Sequence, residues 1–209
     1  MIVKLAPRVL LYEEGVTPAS VPDGYLALSQ IARGRLSPAV FGDGSHPTTR
    51  LCAAALDQLC LTFRPQAVLD VGTGTGVLAR IAHRRGASFV VGTDIDTAAL
   101  DSAAAHAALD AGVTAVNSRA AAIDFSNAPP DTWGPRFDIV VANILEKPLL
   151  ELAPSLVAAM RPGAALLLSG FTRPQAPALK VRFVHAGLSI AAESFLEDWV
   201  LLHFASPRS

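Results

Sequence analysis

Cysteine is nearly absent from this chain of 209 residues, which has only Cys52 and Cys60. Placed on one helix, eight residues at about 1.5 Å each hold them roughly 12 Å apart, beyond disulfide reach. That spacing excludes a disulfide between them and leaves two buried thiols, as expected of a reducing cytoplasm. No apolar run approaches the roughly 18 uninterrupted residues of a membrane span. The opening MIVKLAPRVLLYEEG sets charges and a proline where a signal peptide needs a continuous apolar core. Neither secretion nor membrane insertion is expected. Charge of one sign is also scarce, the formal net charge being −1, so no direct nucleic-acid binding is predicted. His83, His106, His185 and His203 are scattered without ligand spacing, and no metal is assigned.

What is present points to a packed α/β fold. Hydrophobic residues make up 51% and charged residues 17%, a globular rather than a disordered balance. The length suits one main domain, read as 41–209, with a short N-terminal extension, 1–40, interrupted by Pro7, Pro18, Pro22 and Pro38. That extension is expected to form a small strand-and-helix unit or an arm across the domain. From residue 67 short β-branched runs alternate with helical patterns, as in βαβ units. Strands are predicted at Ala67–Val71, Phe89–Asp94, Val113–Asn117, Phe137–Asn143 and Ala164–Gly170. A helix follows near Gln175–Ala186, and GLSIAAESFLEDWVLLHFA reads as an antiparallel pair closing the sheet. The fold class is therefore a doubly wound, mostly parallel seven-stranded Rossmann-like sheet with an antiparallel C-terminal strand.

LDVGTGTGVLA places Asp70 at a strand end, then Gly72, Gly74 and Gly76 before a helix. Glycines let backbone approach a ligand closely, and the helix N-terminus offers unpaired N–H groups. Alternating glycines differ from the Gly-x-Gly-x-x-Gly of dinucleotide folds, whose third glycine would fall at Val77. Asp94 closes the second strand, where a carboxylate can accept two ribose hydroxyls, with Ile95 beside it; Asp96 or Thr97 caps the next helix. Asn143 ends the fourth strand at the edge where open α/β sheets bind ligands. Its amide can hold a cofactor's polar end, an incoming amine, or both in turn. Lys147 reads as solvated, and Glu146 as a first-turn acid or a base. Phe171 and Thr172 are candidates for the same rim, Trp133 for a loop anchor, and Trp199 for strand packing or an acceptor-site wall. In FGDGSHPTTRLC, Phe41 is a candidate cover, Pro47 stiffens the turn beside His46, and Thr48 or Thr49 can cap a helix running through Cys60.

Taken together, FGDGSHPTTRLC, LDVGTGTGVLA, GTDIDTAAL, FDIVVANIL, RPGAALLLSGFTRPQ and the closing EDWVLLHF resemble the ribosomal protein L11 methyltransferase family over about residues 39 to 205. The resemblance implies S-adenosyl-L-methionine as cofactor, held by Phe41, Thr49, Asp70, Gly72, Gly74, Gly76, Asp94, Ile95, Asp124 and Asn143, with Asn143 also catalytic. Asp124 has an alternative reading as a solvated loop residue. The resemblance further implies transfer of methyl groups to lysine or N-terminal amines of a protein substrate, ribosomal protein L11 being the family's target. Two departures stand out: Asp43 and Ser45 occupy positions where threonine is common, and residues 1–40 are expected to be too few to form the family's full N-terminal substrate-recognition domain. The alternatives are a methyltransferase for another protein or a small molecule, a non-catalytic cofactor-binding protein, and a nicotinamide dehydrogenase, which the alternating glycines disfavour.

Overall fold

A computed structural model describes residues 2–16, 20–31, 40–111 and 123–208. Seven strands form the central sheet: β4 (Ala67–Val71), β5 (Phe89–Thr93), β6 (Asp124–Ser126), β7 (Phe137–Asn143), β8 (Met160–Thr172), β9 (Ser189–Leu196) and β10 (Trp199–Ala205). Their spatial order is β6-β5-β4-β7-β8-β10-β9. The pairs from β6 through β8 are parallel, while β10 runs antiparallel to both β8 and β9. This is the doubly wound sheet with an antiparallel C-terminal strand that the sequence predicts. The strand expected at 113–117 lies outside the described residues. β8 starts earlier than its expected Ala164, because Phe137 pairs with Met160 before a register shift.

Among the described residues five helices flank the sheet: α1 (Pro47–Phe63), α2 (Val77–Arg84), α3 (Thr97–Ala111), α4 (Glu146–Ala159) and α5 (Ala176–His185). Successive strand residues face opposite ways, so β8 sends Leu167 into the core with α1 and α2 and sends Leu166 and Leu168 into the core with α4 and α5. Cys52 and Cys60 share α1 and are free and buried. Burial pushes the Cys60 thiol up to about 12 and raises Cys52 too, with Asp57 and Asp70 respectively reinforcing the effect. Such thiols stay protonated and inert at neutral pH. No helix among the described residues is long and apolar enough to cross a membrane.

The N-terminal residues fold as a second sheet, β1 (Ile2–Ala6), β2 (Val9–Glu13) and β3 (Leu26–Gln30), with β1–β2 antiparallel and β2–β3 parallel. Leu5, Val9, Leu11, Leu26 and Leu28 belong to the same apolar core as α1 and α2. Two charged clasps fix this sheet. Arg80, only 1% exposed, donates from Nε to Asp110 Oδ2 at 2.8 Å and from Nη2 to the Ser29 carbonyl. Asp110 Oδ1 in turn accepts the Ser29 N–H at 2.9 Å. The pair thus satisfies both backbone groups of Ser29 and forms a bridge from α2 and α3 to β3. At the second clasp, buried Asp57 meets Arg85 at 2.6 Å and Arg8 at 3.5 Å, while Arg85 also donates to the Gly24 carbonyl at 3.1 Å.

Removing one partner from a buried ion pair leaves the other charge uncompensated, at a cost of about 3–5 kcal/mol. Arg80→Met should therefore lower the urea midpoint sharply. Arg80→Met with Asp110→Leu should recover only the part due to the unpaired Asp110 charge, because both backbone groups of Ser29 then lack partners, and equilibrium unfolding of the two variants checks this.

Candidate functional site

The C-terminal ends of β4, β5, β7 and β8 open onto a cavity of about 630 Å³, within the size range of small-molecule sites. Its floor is the turn between β4 and α2. Gly72 and Thr73 donate their N–H groups to the Thr93 carbonyl at 2.8 and 2.9 Å, and Gly74 donates to Asp94 Oδ2 at 3.1 Å. Both Gly72 and Gly74 have positive φ, 71° and 55°. A Cβ at Gly74 would lie 2.3 Å from the Phe41 carbonyl oxygen. Close approach of protein backbone thus requires this glycine even before any ligand is considered.

Asp70 lies beneath the turn rather than on the cavity surface, 1% exposed. Its Oδ2 accepts the Thr73 hydroxyl at 2.7 Å and the Ala79 N–H at 3.1 Å, while Oδ1 is buried without a hydrogen-bond partner. α2 has no side-chain cap at Gly76, so this carboxylate answers one of its unpaired first-turn N–H groups. Burial pushes the Asp70 pKa up to about 6 and the nearby Asp94 charge adds to the rise, against lowering by the Thr73 and Ala79 hydrogen bonds.

Asp94 lines the cavity. Its Oδ1 accepts the Asp96 N–H at 3.1 Å, and a carboxylate engaged once on each oxygen keeps acceptor capacity for a ligand. Ile95, 98% exposed, projects at the rim. Asp96 Oδ1 accepts from Ala98 at 2.9 Å, capping α3 as expected. Asn143 also faces the cavity; its Nδ2 donates to Thr49 Oγ1 at 3.5 Å, and its Oδ1 is buried with no partner.

Thr49 itself is buried behind Asn143, outside the lining, while its neighbour Thr48 lines the wall. Neither threonine caps α1. His46 holds that position, with Thr48 donating its N–H to His46 Nδ1 at 3.3 Å and its hydroxyl oxygen 2.8 Å from the same nitrogen. Nδ1 is thus the acceptor for the first turn of α1. Pro47 is the first residue of α1, where its missing N–H costs nothing, which moves the start of the helix ahead of both threonines. The His46 ring packs edge-on against Phe41 at 5.1 Å and Trp199 at 4.5 Å, an aromatic wall over the cavity mouth.

Other expected positions lie elsewhere. Asp124 is exposed on β6 and Gly76 lies under Ala103 and Phe125, both outside the lining. Phe171 faces the core, fully buried, and the lining residue from β8 is Gly170. Thr172 gives its N–H and hydroxyl to Gln175 Oε1 at 2.8 and 2.9 Å, and Gln175 Nε2 donates to Glu146 Oε2 at 2.9 Å. This relay joins the loops after β7 and β8, and Glu146 is engaged there as an acceptor. Lys147 is exposed, 3.9 Å from Glu151. Trp133 packs edge-on against Phe89. Sequence reading missed the wall formed by Asn127, Ala128, Pro129 and Pro130; its signal was its place just beyond the carboxyl end of β6. Among the described residues no group of His, Cys, Asp and Glu is arranged to hold a metal ion.

Residues 35–207 match the family described as ribosomal protein L11 methyltransferase (PrmA). The ribosomal protein L11 methyltransferase of Geobacter sulfurreducens is 41% identical over 162 residues, covering 78% of this chain and 50% of the relative. The protein of that name from Dechloromonas aromatica is 40% identical over 167 residues, covering 80% and 52%. The chain thus spans about half the length of the curated relatives it matches. Among solved structures, a ribosomal protein L11 methylase from Lactobacillus delbrueckii subsp. bulgaricus superposes with a TM-score of 0.79 at 27% identity, covering 99% of each chain. The N-methyltransferase NodS from Bradyrhizobium japonicum, at 14% identity and a TM-score of 0.58, shares the fold.

The raised pKa of Asp70 means that the native state holds this proton more tightly than the unfolded chain does. Its contribution to stability is therefore greatest at low pH, falls as pH rises from about 4 to about 6, and is constant above that window. Measured as the difference between wild type and Asp70→Asn in urea unfolding, the fall should reach at most about 3 kcal/mol across the window.

Proposed function

The chain belongs to the ribosomal protein L11 methyltransferase family, and on that premise we propose that it is an S-adenosyl-L-methionine-dependent N-methyltransferase acting on amino groups of a protein. The observation that carries this reading is Asn143, whose buried Oδ1 lacks a partner in a cavity that also presents Asp94. These residues fit the cofactor: Asp94 keeps acceptor capacity for the ribose hydroxyls, Ile95 and Pro130 offer apolar surface to the adenine, and Phe41 covers the site. Gly72 and Gly74 bring backbone close to the bound molecule. In this assignment Asp70, Gly76 and Thr49 act from behind the lining, holding the turn, the start of α2 and the Asn143 amide. Asp124 would contact the cofactor only through a change in its exposed position.

Bound S-adenosyl-L-methionine supplies a methyl group already activated by its sulfonium. The task left to the protein is orientation and exclusion of water. Asn143 Oδ1 accepts an N–H of the acceptor amine and so directs its lone pair into the cavity. Phe41, Trp199 and Leu145 make that mouth apolar. An amine with a free pKa near 10.4 must lose a proton before attack, and an apolar mouth favours its neutral form. The proposed acceptor is a lysine side chain or N-terminal amine, with ribosomal protein L11 as the first candidate, and the proposed compartment is the cytoplasm.

Calorimetry with S-adenosylhomocysteine tests the cofactor site: wild type should bind, and Asp94→Ala should weaken binding at least about ten-fold, the loss of roughly one charge-assisted hydrogen bond. Absence of binding by the wild type would sink the reading. Labelled methyl transfer into ribosomes lacking methylation, set against whole lysate, then identifies the acceptor. Asn143→Ala should retain cofactor binding better than it retains transfer, whereas binding without any turnover in the wild type would favour a non-catalytic role.

A further inference from the structure

The loop carrying Phe41 is held from both sides. Above, Thr75 of the glycine turn donates its N–H to the Phe41 carbonyl at 2.9 Å and its hydroxyl to the Gly42 carbonyl at 2.7 Å. Below, Gly44 sits directly on the N-terminal sheet. A Cβ there would lie 2.5 Å from Leu11 Cδ1 and 3.2 Å from Leu5 Cδ1, so the leucines of β1 and β2 pack against bare backbone. Between these contacts Asp43 Oδ1 accepts both the N–H and the hydroxyl of Ser45, at 2.9 and 2.6 Å, which closes the loop into a compact turn.

These contacts complete a ring. The glycine turn begins α2; α2 carries Arg80; Arg80 clasps Ser29 of β3; β3 pairs with β2, and β2 with β1. From there Leu5 and Leu11 support Gly44, and the loop returns through Phe41 and Gly42 to Thr75 on the glycine turn. We infer that the N-terminal sheet is a positioning device for the cavity, in which Leu5 and Leu11 act as positioning residues that set the height of the Phe41–Ser45 loop above the glycine turn. Packed interiors transmit displacement rather than absorb it, because their side chains have few alternative arrangements. Shortening either leucine lets the loop settle toward β1 and β2 and draws the Phe41 and Gly42 carbonyls away from Thr75. The three strands thereby serve the site without lining the cavity themselves.

For cofactor affinity the inference rests on the function proposed above; for loop position it does not. Trp199 reports on the loop because its ring meets His46, which directly follows Ser45, and Trp133→Phe leaves it as the single tryptophan. In that background Leu11→Ala should shift the Trp199 emission of the ligand-free protein and weaken S-adenosylhomocysteine binding by roughly 2- to 30-fold, the span of indirect coupling through packed elements. Leu11→Met should restore both. Leu179→Ala, in the opposite core under α5, should lower the unfolding midpoint yet leave both readouts at their wild-type values. If Leu11→Ala fails to fold, Leu5→Val shortens the same contact more gently and is read in the same way. A lowered midpoint with unchanged emission and affinity in the leucine variants would overturn the inference. Should the wild type bind no S-adenosylhomocysteine, the proposed function fails and the emission arm alone decides the positioning role.

Discussion

A carboxylate withdrawn from water holds the joint on which this site is built. Asp70, one residue before the end of β4, bonds to Thr73 within the turn and reaches Ala79 in the first turn of α2, so one side chain joins strand, turn and helix. The turn's N–H groups are aimed at Thr93 and Asp94 at the end of the neighbouring strand. The position of the cavity floor therefore follows from two adjacent parallel strands and one buried acid. A half-satisfied buried charge destabilises the fold, and here it sits beneath the glycine turn that forms the cavity floor.

Around that joint the structure uses two kinds of cement. Aliphatic side chains from both faces of the sheet supply non-directional burial, and Leu166, Leu167 and Leu168 show how a single strand serves both faces. Ion pairs supply direction at the places where backbone from another sheet has to be met: Arg80 with Asp110 at Ser29, and Asp57 with Arg85 and Arg8 beside Gly24. The first kind sets the spacing between the layers and the second pins particular backbone groups, so the N-terminal sheet is both buried and indexed against α2 and α3.

Much of the central sheet was legible from the sequence because its signals are local. β-branched runs, glycine turns and the acids or amide that end strands all lie within a few residues of what they predict, and Ala67–Val71 and Phe137–Asn143 were placed to the residue. The N-terminal sheet was read only as an extension because its partners are remote: the contact of Ser29 with Arg80 and Asp110 spans 51 and 81 positions. The cap of α1 was misassigned for a chemical reason. Threonine is the usual cap, but Pro47 starts the helix early and an imidazole nitrogen serves as acceptor in its place. Sequence order places Thr49 beside the site but does not reveal that its hydroxyl accepts from Asn143, a pairing 94 positions apart.

The segment between β7 and α4 shows how differently neighbouring residues are constrained. A side chain at Gly72 would strike Ile144 Cγ2 at 2.2 Å, and one at Gly170 would strike the Ile144 carbonyl oxygen at 2.2 Å, so Ile144 is keyed into two separate turns. Leu145, the next residue, lines the same cavity and is 71% exposed. For a lineage or an engineer altering which acceptor enters, the route of change is accordingly narrow. Position 145 can vary alone, whereas Gly72 is tied to the Ile144 side chain and Gly170 to the Ile144 backbone, so an adaptable residue stands beside two turns that must stay glycine.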